Sequence, residues 1–147
     1  MSITAQDIKI APAHAPGKGV AEALKHGVYM AKSETIHPSS DTTPQEVFKV
    51  PHNVFIHDLV LEVGTSYNGN YILAGIAADT DCLISDTTAA LPGTTYSMKN
   101  GNNAAIYKGG YNCSSDQVVA LQYDGSTGTI TAYLFFSAYS NENFVEP

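Results

Sequence analysis

Arginine and tryptophan are absent from this chain of 147 residues, and cysteine occurs only twice. Without a guanidinium, bidentate gripping of phosphate or carboxylate is excluded. Seven lysines stand against fourteen acids, for a net charge of -7 at pH 7. A surface of that sign repels nucleic acid, whose binders cluster cations and gain affinity by releasing counterions. No direct nucleic-acid partner is expected. Long apolar runs are missing as well: none approaches the ~20 residues that cross a bilayer as a helix. The opening MSITAQDIKIAPAHAP has neither the basic start nor the apolar stretch of a signal peptide. The expectation is a protein with no membrane partner, made and assembled in a cytoplasm. Cys82 and Cys113 form no C-x-x-C pair and have no flanking ligand set. Two buried free thiols account for them; a disulfide would need an extracellular setting and sulfurs within bridging distance.

What is present divides unevenly. From Met1 to Lys32, four lysines meet only Asp7 and Glu22, and the rest of the chain carries three lysines against twelve acids. A weakly basic arm therefore precedes an acidic body. Residues 1–26 mix Ala, Pro, Gly and Lys, as in IAPAHAPGKGV, and read as an extended N-terminal arm. Only Ala21 to His26 favours helix, and so short a piece supports one turn at most. Residues 27–147 read as a single β-sandwich domain, of a length that buries roughly 70% of the unfolded surface.

From Gly27 onward, short β-rich runs alternate with turn clusters. GVYMAKSETI is the first, HPSSDTTP is a surface loop, and Glu46 to Val50 resumes an extended pattern. In NVFIHDLVLEV, strict alternation places Phe55, His57, Leu59, Leu61 and Val63 on one face and Val54, Ile56, Asp58, Val60 and Glu62 on the other. Asn68-Gly69 is expected to turn a tight hairpin into YILAGIAA. CLIS, TTYSMK, NAAIYKG, QVVALQY and TITAYLFFSAY follow, for about eight or nine strands in all. No stretch with helical periodicity separates them, which excludes an alternating βαβ sheet. The fold class is all-β: an antiparallel, jelly-roll-like sandwich with an extended N-terminal arm. In the last run, Ile130, Ala132, Leu134, Phe136 and Ala138 share one face, and Thr131, Tyr133, Phe135, Ser137 and Tyr139 the other. A strand apolar on both faces belongs at the centre of a sandwich or against another subunit.

No constellation reaches a catalytic site, so no enzymatic activity is expected, and no catalytic, cofactor-binding or metal residue is assigned. The histidines His14, His26, His37, His52 and His57 are scattered, and the odd spacing of the last two sends them to opposite strand faces. His57 reads as a satisfied core or interface residue. Asp79, Asp81 and Asp86 lack the spacing of a calcium loop and read as solvated turn carboxylates. Asp58 and Glu62 lie ~13 Å apart along a strand, too far for a glycosidase pair. There is no G-x-S-x-G elbow, and Gly109-Gly110 lacks phosphate-loop spacing and suits a turn or bulge. The tyrosines, among them Tyr67, Tyr71, Tyr107, Tyr111 and Tyr123, are ordinary sheet composition, although such rings also stack on sugars.

Taken together, the loose Ala/Pro/Gly/Lys arm, the strand VFIHDLVLEV, the Gly-rich hairpin expected after it and the closing TGTITAYLFFSAY resemble small virion proteins of tailed bacteriophages. The nearest type is the capsid decoration, or cement, protein. The resemblance spans most of the length through strand layout, without a diagnostic motif, and carries over no functional residue. It implies a β-sandwich, often a jelly roll, that assembles as a homotrimer on the outside of the shell and binds the major capsid protein. There it braces neighbouring capsomers against DNA pressure. An arginine-free acidic body suits the outer surface. The arm, through Ile8 to Ile10, suits strand addition at a partner's sheet edge. Tyr133, Phe135 and Tyr139 suit a contact repeated over the shell, where avidity replaces a single strong anchor. Phe144 and Val145 would anchor the tail. The alternative is a carbohydrate- or receptor-binding sandwich of a tail fibre or adhesin; a cupin-like enzyme would need clustered His and Glu ligands that are not found.

Overall fold

The computed structural model describes residues 3–8, 27–86, 92–99, 107 and 109–138. Among the described residues ten strands are formed: β1 (Gln6–Asp7), β2 (Tyr29–Lys32), β3 (Gln45–Val50), β4 (Val54–Val63), β5 (Ile72–Ile76), β6 (Asp79–Asp86), β7 (Thr95–Ser97), β8 (Tyr111–Cys113), β9 (Gln117–Tyr123) and β10 (Ile130–Ala138). One sheet runs β1-β3-β9-β5-β6, the other β2-β10-β4-β7, with β8 also on β4.

The pairing is nested. β5 pairs with β6, β4 with β7 and β8, β3 with β9, and β2 with β10, all antiparallel. A ribbon folded back on itself in this way has two raw edges, and wrapping it closes them: β10 lands beside β4 and β9 beside β5. That is the jelly-roll solution to exposed strand edges. β7 and β8 share the role of one strand, taking opposite ends of β4. Phe48, Ile72, Ala74, Val119 and Leu121 from the first sheet meet Ile56, Leu59, Leu61, Ala132 and Leu134 from the second in one buried cluster. β10 follows the expected alternation, with Ile130, Ala132, Leu134 and Phe136 inward.

In β4 the expected alternation breaks. Val54 and Ile56 face the core, and so do Leu59, Leu61 and Val63. The register with β10 jumps here, Phe136 pairing with Ile56 but Phe135 with Asp58, so His57 is an extra residue. Such a bulge flips the phase of the side chains beyond it. Phe55, His57, Asp58, Val60 and Glu62 consequently share the outer face.

The tight hairpin expected at Asn68-Gly69 does not form. β4 and β5 belong to different sheets, and neither Asn68 nor Gly69 has the positive φ that such a turn requires. Residues 64–71 instead arch across the sandwich around Tyr67, which is 2% exposed and donates its hydroxyl to the Tyr71 carbonyl at 2.8 Å. Side chains on either side tie the arch to the β9–β10 loop. Asp124 Oδ1 accepts from Asn70 N at 2.7 Å and Tyr71 N at 3.2 Å, while Asn68 Oδ1 accepts from Ser126 N at 2.7 Å. Gly128 has φ +91°, and a Cβ there would run into the Tyr67 backbone. The short hairpin lies one strand later, where Ile76 opposes Asp79 across Ala77 and Ala78.

Part of the arm lies on its own sheet. β1 pairs parallel with β3, Ile8 N donates to the Lys49 carbonyl at 2.8 Å, and the Ile8 side chain is buried. Gln45 extends this edge through its amide, accepting from Ile3 N at 3.3 Å and donating to the Ile3 carbonyl at 3.2 Å. The remaining arm residues 9–26, Asn103 to Ile106 and Lys108 of NAAIYKG, Tyr139, Phe144 and Val145 lie outside the described residues. Cys82 and Cys113 are buried and not joined in a disulfide, and burial pushes the Cys113 thiol up to about 12.

Candidate functional site

The outer face of the β2-β10-β4 sheet carries the most distinctive exposed side chains. Because opposed residues of an antiparallel pair share a face, cross-strand rows can be read from the register. Met30, Phe135 and Asp58 make one row, and Lys32, Tyr133 and Val60 the next. Ser137, Phe55 and Asn112 extend the face one way, and Thr131, Glu62 and Thr95 the other. Val28 and Met30 are 58% and 52% exposed, the large apolar residues most open to solvent among the described residues.

The face has two ends of different character. At one, Met30, Phe135 and Phe55 surround the bulge, where His57 Nε2 lies 2.7 Å from Ser137 Oγ and its ring meets Phe55 edge-on at 4.9 Å. His57 is thus a hydrogen-bonded residue of a partly exposed surface. Toward the other end, the Tyr133 hydroxyl donates to Glu62 Oε1 at 2.9 Å, which raises the tyrosine pKa, and Lys32 Nζ lies 5.9 Å from the ring centroid. The aromatic pair Tyr133 and Phe135 is therefore present on this face as the sequence implied. The contribution of Val28, Met30 and Phe55 was missed. The signal for it lay in β2, where exposed Met30 alternates with Tyr29 and Ala31 packed on the core.

Asp58 holds the bulge in shape, its Oδ1 accepting from Leu59 N at 2.9 Å and from Met98 N at 3.1 Å. Burial pushes its carboxyl above the usual range, against those hydrogen bonds and nearby Lys99. A raised folded pKa means a stabilising contribution that is complete below 3.8, the ordinary value, and lost as pH rises through the folded one. Asp58→Asn keeps the acceptor oxygen and removes the charge. It should be at least as stable as the parent at pH 7 and should flatten the decline in stability on the alkaline side of the acid range, as read by urea denaturation at a series of pH values.

The other singled-out residues do not converge. His52 is paired with Asp116 at 3.1 Å on an exposed turn, its ring hydrogen bond lowering the Asp116 pKa. Asp81 accepts from Ser85 Oγ at 3.0 Å, and no group of three metal-capable side chains occurs among the described residues. Tyr67 and Tyr123 are buried, while Tyr107 and Tyr111 stack edge-to-face at 4.7 Å elsewhere. Gly110, at φ +117°, packs under Phe55 before β8, the turn role expected for it. On the opposite sheet, Gly75, Ala77, Val118 and Ala120 help line an apolar hollow of about 290 Å³.

The strand order defines a jelly-roll sandwich, and solved structures resemble its fold. A chain of the capsid of Ralstonia phage GP4 superposes with a TM-score of 0.55 at 13% identity, covering 79% of this chain and 87% of that one. A chain of the Cyanophage Pam1 capsid asymmetric unit does so with a TM-score of 0.51 at 15% identity, covering 89% and 94%. At such identities the likeness is one of fold. No protein-family model matches the sequence, and no curated protein matches it.

Proposed function

We propose that this protein is a structural component of a tailed-phage head, of the decoration type. It binds the outside of the major capsid protein shell as a trimer and braces neighbouring capsomers without catalysing a reaction. The observation that carries this reading is the likeness over most of both chains to chains of two phage capsids. Charge supports the outer location: an arginine-free body with excess acid is repelled by packaged DNA. The face containing Val28, Met30, Phe135 and Phe55 supplies the contact with the shell. Exposed apolar surface rimmed by Lys32, Glu62 and His57 has the composition of an interface core with a polar rim.

The test is cosedimentation of the purified full chain with heads assembled without it, together with the temperature at which those heads release DNA. Wild type should bind saturably and raise the release temperature. Phe135→Asp buries an unpaired charge in the contact, so affinity should fall by at least tenfold while the circular dichroism spectrum is retained. Failure of wild type to bind heads sinks the head reading. Unchanged binding by a folded Phe135→Asp protein removes this face from it.

A further inference from the structure

A second recess lies at the polar end of the same sheet, enclosed by the end of β4, the turn before β7 and the start of β10. Its volume is about 400 Å³, and its walls are hydroxyl-rich: Thr65, Thr94, Thr95, Thr129 and Thr131 surround the carboxylate of Glu62. We propose that this notch binds a neutral sugar, the terminal unit of a glycan, with Glu62 and the threonine hydroxyls as its hydrogen-bonding set.

The chemistry of the walls selects the ligand. Among the described residues the side-chain hydroxyls of Thr65, Thr95, Thr129 and Thr131 have no protein partner, and neither has the second oxygen of Glu62. Each hydroxyl both donates and accepts, whereas the carboxylate only accepts. A polyol matches that inventory, since each sugar hydroxyl is also both donor and acceptor, and two adjacent ones can donate to a single carboxylate. An ammonium group, such as a partner's lysine, only donates, and would leave the threonine donors unused. An anion would meet Glu62 head-on. The volume falls near the small end of the ~300–1,000 Å³ usual for small-ligand sites, which suits one or two sugar rings.

The walls are also fixed in place. Gly93 N donates to the Val63 carbonyl at 3.0 Å and the Gly64 carbonyl at 3.3 Å, Gly64 N to Thr129 O at 2.8 Å, and Val63 N to Thr94 O at 2.9 Å. Thr131, Glu62 and Thr95 stand in one cross-strand row, so their spacing is set by the sheet. A Cβ on Gly64 would collide with Thr129 Oγ1, so the floor stays open only with glycine there. A strongly hydrated, uncharged ligand such as a sugar gains most from such a site because little ordering remains to be done on binding.

Amide chemical shifts of the full-length protein, followed by NMR during titration with galactose, glucose, mannose, N-acetylglucosamine and, separately, n-butylamine, decide the matter. At least one sugar should move the Gly64, Gly93 and Thr129 amides saturably. Glu62→Gln and Thr129→Val should each weaken that sugar by about tenfold. The proposal is overturned by the absence of saturable shifts with every sugar, by shifts that survive both substitutions, or by a response to n-butylamine alone. The free protein is used throughout, so the outcome is independent of head binding.

Discussion

Tyr67→Ala is expected to destabilise the protein by about 3–5 kcal/mol, the usual range for emptying a buried aromatic site. Tyr67 is buried inside the arch that carries the chain from one sheet to the other, and Gly69 and Gly125 pack against its ring. Removing the ring leaves those glycines facing a void and frees the Tyr71 carbonyl that the hydroxyl caps. Tyr67→Phe separates the two contributions and should cost about 1 kcal/mol, the net worth of one hydrogen bond. Urea denaturation at neutral pH measures both, and a cost under about 1 kcal/mol for the alanine variant would show that the arch collapses without penalty. A pH signature accompanies the effect. Burial, with Asp124 nearby, pushes the Tyr67 pKa from 10.0 to about 12. Because the folded value is the higher one, the stabilisation it contributes is complete below pH 10 and lost as pH rises toward 12. The phenylalanine variant should lose stability less steeply over that interval.

Deleting residues 1–26 should abolish binding to heads and leave a protein prone to self-association. β1 covers the outer edge of β3, and Ile8 closes the core beneath it. Its loss exposes a row of unpaired backbone groups on β3, the template for edge-to-edge pairing, and forfeits about 1.5–3 kcal/mol of apolar burial. Ile8→Ala tests the plug alone: stability should fall by about 2 kcal/mol or more, with heads still bound. If the truncated protein remains monodisperse in light scattering and stabilises heads like the full chain, the arm has no part in attachment.

The architecture was legible because nothing competes with β structure after Gly27, and because turn clusters mark nearly every strand end. Two features escaped for physical reasons. The alternation in NVFIHDLVLEV continues through the bulge, since His57 and Asp58 are both tolerable on an outer face; only the pairing with β10 reveals the extra residue. Asn68-Gly69 has the composition of a hairpin turn, but Tyr67 just before it prefers burial between the sheets, and its partners Asp124 and Gly125 are distant in sequence. A local turn signal lost to a tertiary one. The threonine notch was invisible for a related reason, because its residues come from three separate segments and none of them forms a motif alone.

The nested pairing also dictates a timetable. β5 and β6 can zip together as soon as both exist, but Met30 in β2 has no partner until Phe135 in β10 has been made. Contacts so far apart in sequence are formed slowly, and on a ribosome, where synthesis runs at about 5–20 residues per second, this one must wait for almost the whole chain. The strand that presents Met30 is therefore among the last to settle. Completion of the fold and presentation of exposed Met30 on its strand fall at the same moment, which shortens the interval in which an unfinished chain shows that surface to its neighbours.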